Sequence, residues 1–297
     1  MSEPRTQAQA AARECYAVFG NPVTHSKSPF IHARFAEQTG QAIDYTPRLV
    51  PLDGFVTAVR EFIAAGGRGA NVTVPFKREA HALADTLSPR AAAAGAVNTL
   101  RFEADGRIHG DNTDGVGLVR DIEQNLGVSL AGTRILLLGA GGAARGVVLP
   151  ILDRGPLVIN IVNRTAIKAE ELVGQFTQAA HDAGCALVGG GATMVERRPY
   201  DVIVNATASS LDAALPECDP AAFGTGTLAY DMTYGTQPTV FMRYAESLGA
   251  RAADGLGMLV EQAAESFHLW RGVRPDGAPV LAASNLKCNT DRGRPQI

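Results

Sequence analysis

Five polar side chains in the first 114 residues supply hydrogen-bonding and ionisable groups of the kinds found in binding sites. Asn71 and Thr73 lie two residues apart on a predicted strand, so both face the same side of it. Lys77 follows on a predicted helix, Asn98 lies at the start of a later strand, and Asp114 lies at a loop-to-helix junction. Each residue alone is also compatible with a turn or a helix cap. Together they supply amides, a hydroxyl, an amine and a carboxylate, a set that suits a sugar-like acid.

A second polar segment, HSKSP at positions 25–29, precedes a predicted helix at 30–38. The hydroxyls of Ser26 and Ser28 can hydrogen-bond a carboxylate, helped by the positive end of the helix that follows. The alternative is a helix cap, in which Ser28 is the N-cap residue before Pro29. From this loop alone, the cap is the simpler interpretation.

A glycine-rich turn in the second half of the chain follows a continuous apolar run at 135–138 and leads into an apolar helix. Gly139 permits the tight turn, Gly141 lets the backbone approach a pyrophosphate, and the helix N-terminus offers free N–H groups to that anion. Ala144 replaces the third glycine of a strict GxGxxG motif, which is tolerated because that position only needs close helix–strand packing. The predicted dinucleotide-binding turn comprises Gly139, Ala140, Gly141, Gly142 and Ala143.

The end of the next predicted strand indicates which dinucleotide binds. An NAD site usually has an acid there, but this sequence has Asn163, Arg164 and Thr165, with Lys168 one helical turn further on. A dianionic 2′-phosphate favours such donors, whereas an acid would repel it. The alternative is that Arg164 is a solvated loop residue. Its position at the tip of the strand favours the phosphate contact and predicts NADP as the cofactor.

Composition excludes several other classes of function. The 297 residues have a formal net charge of -3 and no basic patch, which argues against nucleic-acid and anionic-membrane partners. There is no apolar run of membrane-spanning length and no apolar core of a signal peptide, so we expect a cytoplasmic protein. The four cysteines are far apart and form no CxxC pair, so we expect neither a metal site nor disulfides.

The order of predicted elements places these residues in an α/β protein with two domains. Strands alternate with helices from residue 133 onward, the pattern of a doubly wound Rossmann-type sheet. We predict a disordered tail at 1–13, a substrate-binding catalytic domain at 14–112 and an NADP-binding domain at 113–254. In the first domain, a strand is predicted at 70–74, and Pro75 is predicted to open the next helix. Two final helices, at 258–271 and 279–285, are predicted to pack back on the first domain, which would then include about 255–288.

Taken together, these motifs resemble those of the shikimate dehydrogenase family. The resemblance covers roughly residues 15–285, and its motifs occur in the family's order. Several motifs are weak individually, but the set is specific. They are NP at 21–22, HSKSP at 25–29, NVTVPFK at 71–77, GAVNT at 95–99, GDNTDG at 110–115, GAGGA at 139–143, NRT at 163–165, NAT at 205–207, YDMTY at 230–234 and DGLGMLVEQ at 254–262.

The resemblance implies NADP-linked reduction of 3-dehydroshikimate to shikimate, with Lys77 and Asp114 as the catalytic pair. Ser26 and Ser28 would hold the substrate carboxylate, with Tyr234 nearby. The residues implied to hold the substrate hydroxyls are Asn71, Thr73, Asn98, Asp114 and Gln262. The residues implied to bind NADP are Gly139, Ala140, Gly141, Gly142, Ala143, Asn163, Arg164, Thr165, Lys168, Thr207, Gly255 and Met258.

This chain departs from the family pattern at two positions. Lys168 stands where the family often has arginine, and Ala208 stands where serine is common. Three alternatives remain at this stage. They are a quinate/shikimate dehydrogenase with broader substrate or cofactor use, a non-catalytic NADP-binding regulator, and a methylene-tetrahydrofolate dehydrogenase of similar architecture, which would not be expected to have the Ser26/Ser28 loop. We expect a monomer or a homodimer.

Overall fold

The computed structural model describes residues 13–209 and 214–291, with side chains described to residue 284, and contains two six-stranded sheets. The tail predicted at 1–13 therefore lies, apart from Arg13, outside the described residues. None of the helices in the described part of the chain is both long enough and apolar enough to cross a membrane. The α/β fold class predicted from the alternation of elements is confirmed.

The first sheet is mixed. Strand β1 pairs in parallel with β2 and β3, while β3, β5 and β6 pair antiparallel, giving the order β2-β1-β3-β5-β6-β4. The strands are β1 (Glu14–Gly20), β2 (Ile43–Leu49), β3 (Gly67–Val72), β4 (Thr86–Leu87), β5 (Thr99–Phe102) and β6 (Ile108–Asp111). The helices of this part are α1 (Ser28–Thr39), α2 (Phe55–Ala64), α3 (Lys77–Leu83) and α4 (Pro89–Ala94).

The second sheet is fully parallel, with the order β12-β11-β10-β7-β8-β9. This is the doubly wound arrangement, in which strand order reverses between β7 and β10. The strands are β7 (Arg134–Leu138), β8 (Val158–Val162), β9 (Ala186–Gly190), β10 (Val202–Asn205), β11 (Leu228–Asp231) and β12 (Arg251–Ala253). The helices are α5 (Asp114–Arg120), α6 (Gly142–Leu152), α7 (Ala166–Asp182) and α8 (Val240–Ser247).

Three predicted elements differ from the structure. Strand β3 ends at Val72 rather than 74, because the N–H of Phe76 closes a turn on the Thr73 carbonyl at 3.0 Å. Pro75 therefore does not open a helix, and α3 begins at Lys77. The helix expected after the junction at Asp114 is α5, which widens into a π-helical turn at Asp121–Asn125. The elements β9, β12 and α8 were not predicted, because each is short, from three to eight residues.

The end of the chain packs against the first sheet, as predicted. Helix α9 (Leu256–Arg271) and helix α10 (Gly277–Asp291) form a buried cluster with β1, β2 and α1 that includes Tyr16, Phe35 and Phe267. Trp270 stacks on Tyr16 with ring centroids 4.7 Å apart, and its Nε1 donates to the Leu100 carbonyl at 3.0 Å. Helix α9 also packs against α5, so one helix contacts the elements of both sheets.

Candidate functional site

A cavity of about 250 Å³ opens beside the carboxyl ends of β1 and β3. Apolar side chains, among them Val18, Val23 and Leu259, form part of its wall. The polar part of the wall consists of His25, which was not predicted as a site residue, and of eight residues that the sequence predicted. The predicted residues are Ser26, Ser28, Asn71, Thr73, Lys77, Asn98, Tyr234 and Gln262. The fold therefore brings together side chains from loops, strands and helices that are up to 236 positions apart, from 26 to 262.

Lys77 and Asp114 form an ion pair at this cavity, with Nζ of Lys77 2.7 Å from Oδ2 of Asp114. The lysine side chain is 30% exposed and the aspartate side chain 12%, so the amine remains accessible while its partner is largely enclosed. The alternative of Asp114 as a helix N-cap is not what the structure shows. Thr113 occupies the N-cap position, and the Asp114 carboxylate is turned toward Lys77 and Asn98.

Asn98 holds this pair and connects it to the end of the chain. Its Nδ2 donates to Oδ1 of Asp114 at 2.8 Å and to Oε1 of Gln262 at 3.0 Å. Its Oδ1 accepts from the backbone N–H of Thr113 at 2.9 Å. These contacts fix the carboxylate that orients Lys77, and they anchor Gln262 of helix α9 by its oxygen, which leaves the amide N–H groups as donors.

The serine loop is organised differently from a side-chain helix cap. Helix α1 begins at Ser28 itself, so the N-cap residue is Lys27, whose side chain makes no capping hydrogen bond. Instead Oγ of Ser26 accepts from the backbone N–H of Ser28 at 3.3 Å, and both serines line the cavity. The N-cap interpretation of Ser28 is therefore wrong. The hydroxyls lie at the N-terminal end of α1, where free N–H groups also favour an anion.

Two residues behind the cavity were not predicted from the sequence. The phenol of Tyr45 donates to Oδ1 of Asn71 at 2.7 Å, and Nε2 of His32 lies 3.2 Å from the same oxygen. The His32 ring stacks on Tyr45 with centroids 4.2 Å apart. Burial lowers the pKa of His32 to about 3, so this ring is neutral. The one signal in the sequence was a histidine beside the apolar residue Ile31 in α1.

A second cavity, of about 430 Å³, lies at the carboxyl ends of β7, β8 and β10, where strand order reverses. Doubly wound sheets bind dinucleotides at this position. Gly139, Asn163, Arg164 and Thr207 line it, together with Ser209, which the sequence did not predict. The site combines a glycine turn, a guanidinium and hydroxyl groups.

The backbone of the glycine turn fits a pyrophosphate. Gly139 has a φ of 107°, a left-handed conformation that favours glycine, and a Cβ there would meet Ala206 at 3.2 Å. Gly141 and Gly142 begin helix α6, and nothing lies within 4 Å of a Cβ built on either. A ligand can therefore approach the free N–H groups of this helix closely. Ala144 is fully buried against the sheet, as expected for the replaced third glycine.

Some of the remaining predicted cofactor residues lie next to residues that line this cavity, and two others do not line it. Ala140 and Ala143 belong to the glycine turn and the helix start, while Thr165 and Lys168 are exposed beside Arg164. Gly255 and Met258, both described, do not line the cavity. Gly255 packs against the Met232 carbonyl, and Met258 is buried near the start of α9. Within the described residues, His, Cys, Asp and Glu side chains form no cluster of three suited to a metal.

Three family models match the chain. Residues 18–100 match the shikimate dehydrogenase substrate binding domain. Residues 121–213 match the shikimate / quinate 5-dehydrogenase model, and residues 255–283 match the shikimate 5'-dehydrogenase C-terminal domain. The matched ranges contain the residues that line the first cavity apart from Tyr234, and they also contain the glycine turn and helix α9.

Individual proteins match over nearly the whole chain. Shikimate dehydrogenase (NADP(+)) from Cupriavidus necator is 54% identical over 291 residues, which cover 97% of this chain and 98% of that protein. The crystal structure of an Ael1 enzyme from Pseudomonas putida has a TM-score of 0.85 at 46% identity, covering 91% of this chain and 97% of that one. Shikimate 5-dehydrogenase from Thermus thermophilus, solved with NADP(H) and shikimate, has a TM-score of 0.78 at 32% identity, covering 93% and 99%.

Proposed function

The chain belongs to the shikimate dehydrogenase family, and on that premise we propose that it interconverts 3-dehydroshikimate and shikimate with NADP(H). The chain is thus an oxidoreductase acting on a hydroxyl carbon of a small acid. The observation that carries this proposal is the 2.7 Å Lys77–Asp114 pair beside a cavity lined by hydroxyl and amide groups. The second cavity, with its glycine turn and Arg164, supports NADP as the cofactor.

Lys77 donates or accepts the proton in this reaction, and Asp114 orients it. Bound NADPH supplies the hydride. As the ketone becomes an alkoxide, the ammonium of Lys77 stabilises the developing charge and donates a proton to the oxygen. In the oxidising direction, neutral Lys77 accepts the hydroxyl proton. Asp114 holds the amine in position at the cavity through their 2.7 Å contact.

The other polar residues of the first cavity hold the substrate. In our proposal, Ser26 and Ser28 donate to its carboxylate at the N-terminus of α1, with Tyr234 beside them. Asn71, Thr73, Asn98 and Gln262 hold its ring hydroxyls together with Asp114. Support comes from the shared position of the two asparagines, Thr73 and Gln262 around one cavity, with Asp114 hydrogen-bonded to Asn98. The amide of Asn71 is also engaged by neighbouring protein groups.

The cofactor contacts form a separate part of the proposal. The turn from Gly139 to Ala143 would hold the pyrophosphate, and Asn163, Arg164, Thr165 and Lys168 would hold the 2′-phosphate. Thr207 contacts the cofactor from the end of β10. We also propose contacts with Gly255 and Met258 at the start of α9, a helix that also carries Gln262 into the first cavity.

We propose that residues 14–112 with about 255–288 form the substrate-binding unit, and that 113–254 form the NADP-binding unit. The two sheets, at 14–111 and 134–253, support this division. We further propose a cytoplasmic location and a monomeric or homodimeric state. The partner of the chain is a small-molecule substrate.

Absorbance at the reduced-nicotinamide band tests the function, with shikimate or quinate offered together with NADP+ or NAD+. We expect rapid turnover only with shikimate and NADP+. Arg164→Ala is expected to raise the KM for NADP+ and to leave NAD+ use little changed, because only NADP+ carries the 2′-phosphate.

Two other results would change the assignment. The second candidate function is a quinate/shikimate dehydrogenase with broader substrate or cofactor use, since the chain also matches the shikimate / quinate model. Comparable turnover of quinate, or a preference for NAD+, would favour this second candidate. Absence of turnover with every pair, in folded protein that still binds NADP+, would favour a regulatory role and contradict catalysis.

A further inference from the structure

One buried hydroxyl of helix α9 connects that helix to β3, to β5 and to the turn before α5. Ser266 is fully buried, and its Oγ lies 3.0 Å from Nδ2 of Asn71, near the end of β3. The same oxygen lies 2.8 Å from Oγ1 of Thr99, the first residue of β5, and 3.3 Å from Oγ1 of Thr113. Both threonines are fully buried as well. Ser266 therefore ties α9 to a buried polar cluster that includes Asn71, a residue of the cavity wall.

The partners of Ser266 determine where its hydrogen points. Its Oγ lies 3.0 Å from the backbone carbonyl of Gln262, one helical turn earlier, and a carbonyl oxygen can only accept. The Ser266 hydroxyl therefore donates to this carbonyl, and its lone pairs remain for Asn71. The amide nitrogen of Asn71 can only donate, and it also faces the Asn98 carbonyl at 3.2 Å, which fixes the orientation of the amide. A donor on β3 thus meets an acceptor on α9.

Gln262 lies on the same face of α9 as Ser266, because residues four positions apart are neighbours on a helix. Its side chain lines the cavity, and its Oε1 accepts from Nδ2 of Asn98 at 3.0 Å. That hydrogen bond depends on the height and rotation of α9 over the sheet, since hydrogen bonds weaken steeply as their geometry departs from the optimum. Ser266 fixes both quantities one turn away from Gln262, through its contacts with two strands of the sheet.

A second buried serine shows what a serine contributes within a helix of this protein. Ser284 of α10 is 1% exposed, and its Oγ donates to the Val280 carbonyl, four residues earlier, at 2.8 Å. Ser266 makes the same kind of bond within α9, and such bonds are common for helical serines. The contacts with Asn71 and Thr99, on two strands, are what distinguish Ser266.

We propose that Ser266 is a positioning residue for substrate recognition, which it serves by holding Gln262 at the cavity. With Ser266 docked on Asn71 and Thr99, the amide N–H groups of Gln262 stay available to a ring hydroxyl of the substrate. Ser266 itself does not touch the substrate, since its side chain is fully buried. The inference rests on the proposed function, in which Gln262 binds a hydroxyl of shikimate.

Ser266→Ala removes the hydroxyl and leaves the helix otherwise unchanged. We expect the KM for shikimate to rise about 3- to 10-fold, the effect of one net hydrogen bond, while kcat and the KM for NADP+ stay nearly constant. The matched control is Ser284→Ala, which removes an equally buried hydroxyl with the same kind of bond within its helix. Its shikimate KM should equal that of the wild type. A wild-type shikimate KM in Ser266→Ala would overturn the proposal, and so would parallel changes in all three kinetic constants, which indicate a general loosening of the fold.

A double-mutant cycle separates positioning of Gln262 from a purely structural effect. If Ser266 acts through Gln262, adding Ser266→Ala to Gln262→Ala should change the shikimate KM little beyond the effect of Gln262→Ala alone. Independent effects of the two substitutions would show that Ser266 acts through another residue, and they would contradict the mechanism.

Ser266→Cys provides a second variant that does not leave a gap in the core. It keeps an atom at the γ position but replaces the oxygen with a sulfur that accepts hydrogen bonds only weakly. Its shikimate KM should therefore rise as well, and a wild-type value would refute the role of the hydroxyl.

Calorimetry with shikimate alone keeps these tests distinct from the test of the proposed function. Ser266→Ala should bind shikimate about 3- to 10-fold more weakly than the wild type, whether or not turnover is measured. Equal affinity of the two proteins would overturn the role of Ser266 and leave the proposed function intact. Absence of shikimate binding to the wild-type protein would overturn both proposals.

Discussion

At the scale of single residues, the site depends on one amide and one ion pair. Asn98 contacts both Asp114 and Gln262, so the acid beside Lys77 and an amide of helix α9 share one hydrogen-bonding partner. Nδ2 of Asn98 also lies 3.0 Å from the Thr113 hydroxyl, within a buried network of hydroxyls. Such networks favour one arrangement of the side chains, because a partly satisfied buried group is costly.

Lys77→Met tests the role of the amine, because methionine keeps the apolar stem and removes the charge. We expect kcat to fall by about 10²- to 10⁴-fold, the usual contribution of a general acid, with a smaller change in shikimate KM. Steady-state kinetics in both directions measure this, and thermal unfolding serves as the control for folding. A large rise in KM with kcat unchanged would show that Lys77 binds the substrate and does not transfer the proton.

At the scale of elements, glycines let helices α5 and α9 touch along their backbones. A Cβ at Gly117 would meet the Met258 carbonyl at 2.6 Å, and a Cβ at Gly257 would collide with the carboxylate of Asp121. That carboxylate accepts from the Tyr230 phenol at 2.6 Å and from Asn125 at 2.8 Å, so it cannot move aside cheaply. The close contact sets the position of α9 and therefore of Gln262.

Gly257→Ala should lower the free energy of unfolding by about 3 kcal/mol or more, because a methyl group overpacks a rigid helix contact. It should also reduce turnover, since α9 carries Gln262 into the substrate cavity. Chemical denaturation and kinetics measure the two effects. Gly174→Ala, in the exposed part of α7 with open space around it, is the matched control. It should stabilise the protein by about 0.5–1 kcal/mol, and equal behaviour of the two variants would contradict the packing argument.

At the scale of the whole molecule, the first sheet is completed by the end of the chain. Trp270 of α9 stacks on Tyr16 of β1, and Glu265 of the same helix contacts Arg90 of α4 at 3.0 Å. Arg90 in turn clamps Asp111. Burial alone would raise the pKa of Asp111, but the hydrogen bonds and charge of Arg90 outweigh it and hold that pKa below its usual value. Helix α9 is therefore tied to the first sheet by both apolar and ionic contacts.

Trp270 is the single tryptophan of the chain, so its emission reports on the docking of α9. We expect urea to change the emission and abolish turnover of shikimate at the same concentration, because α9 carries both Trp270 and Gln262. Equilibrium fluorescence and residual activity, measured on the same samples, provide the comparison. An emission change at a urea concentration where turnover persists would show that docking of α9 is dispensable for activity.

The local chemistry of the chain was sufficient to predict the doubly wound sheet and several polar residues that line the two cavities, among them Asn71, Lys77 and Arg164. The apolar residues before Gly139 and the glycines after it specify a strand, a tight turn and a helix start within ten residues. The hydrogen-bond donors around Arg164 come immediately after the next strand. Such features depend on backbone conformation and periodicity, which neighbouring residues determine. Exposed and proline-flanked boundaries were less predictable, and the end of β3 at Val72 depended on a turn closed by Phe76.

Only the tertiary structure decided which of these groups meet. The sequence gives no reason why Asn98 should face Gln262, 164 positions away, or why Ser28 should make no cap. In the sequence, His32 has no feature beyond its place on a helix, and Tyr45 none beyond its place on a strand. The packing of α1 on β2 places both against Asn71. The physical reason is that hydrogen bonds between distant segments depend on how helices and sheets pack, and packing is a property of the whole core.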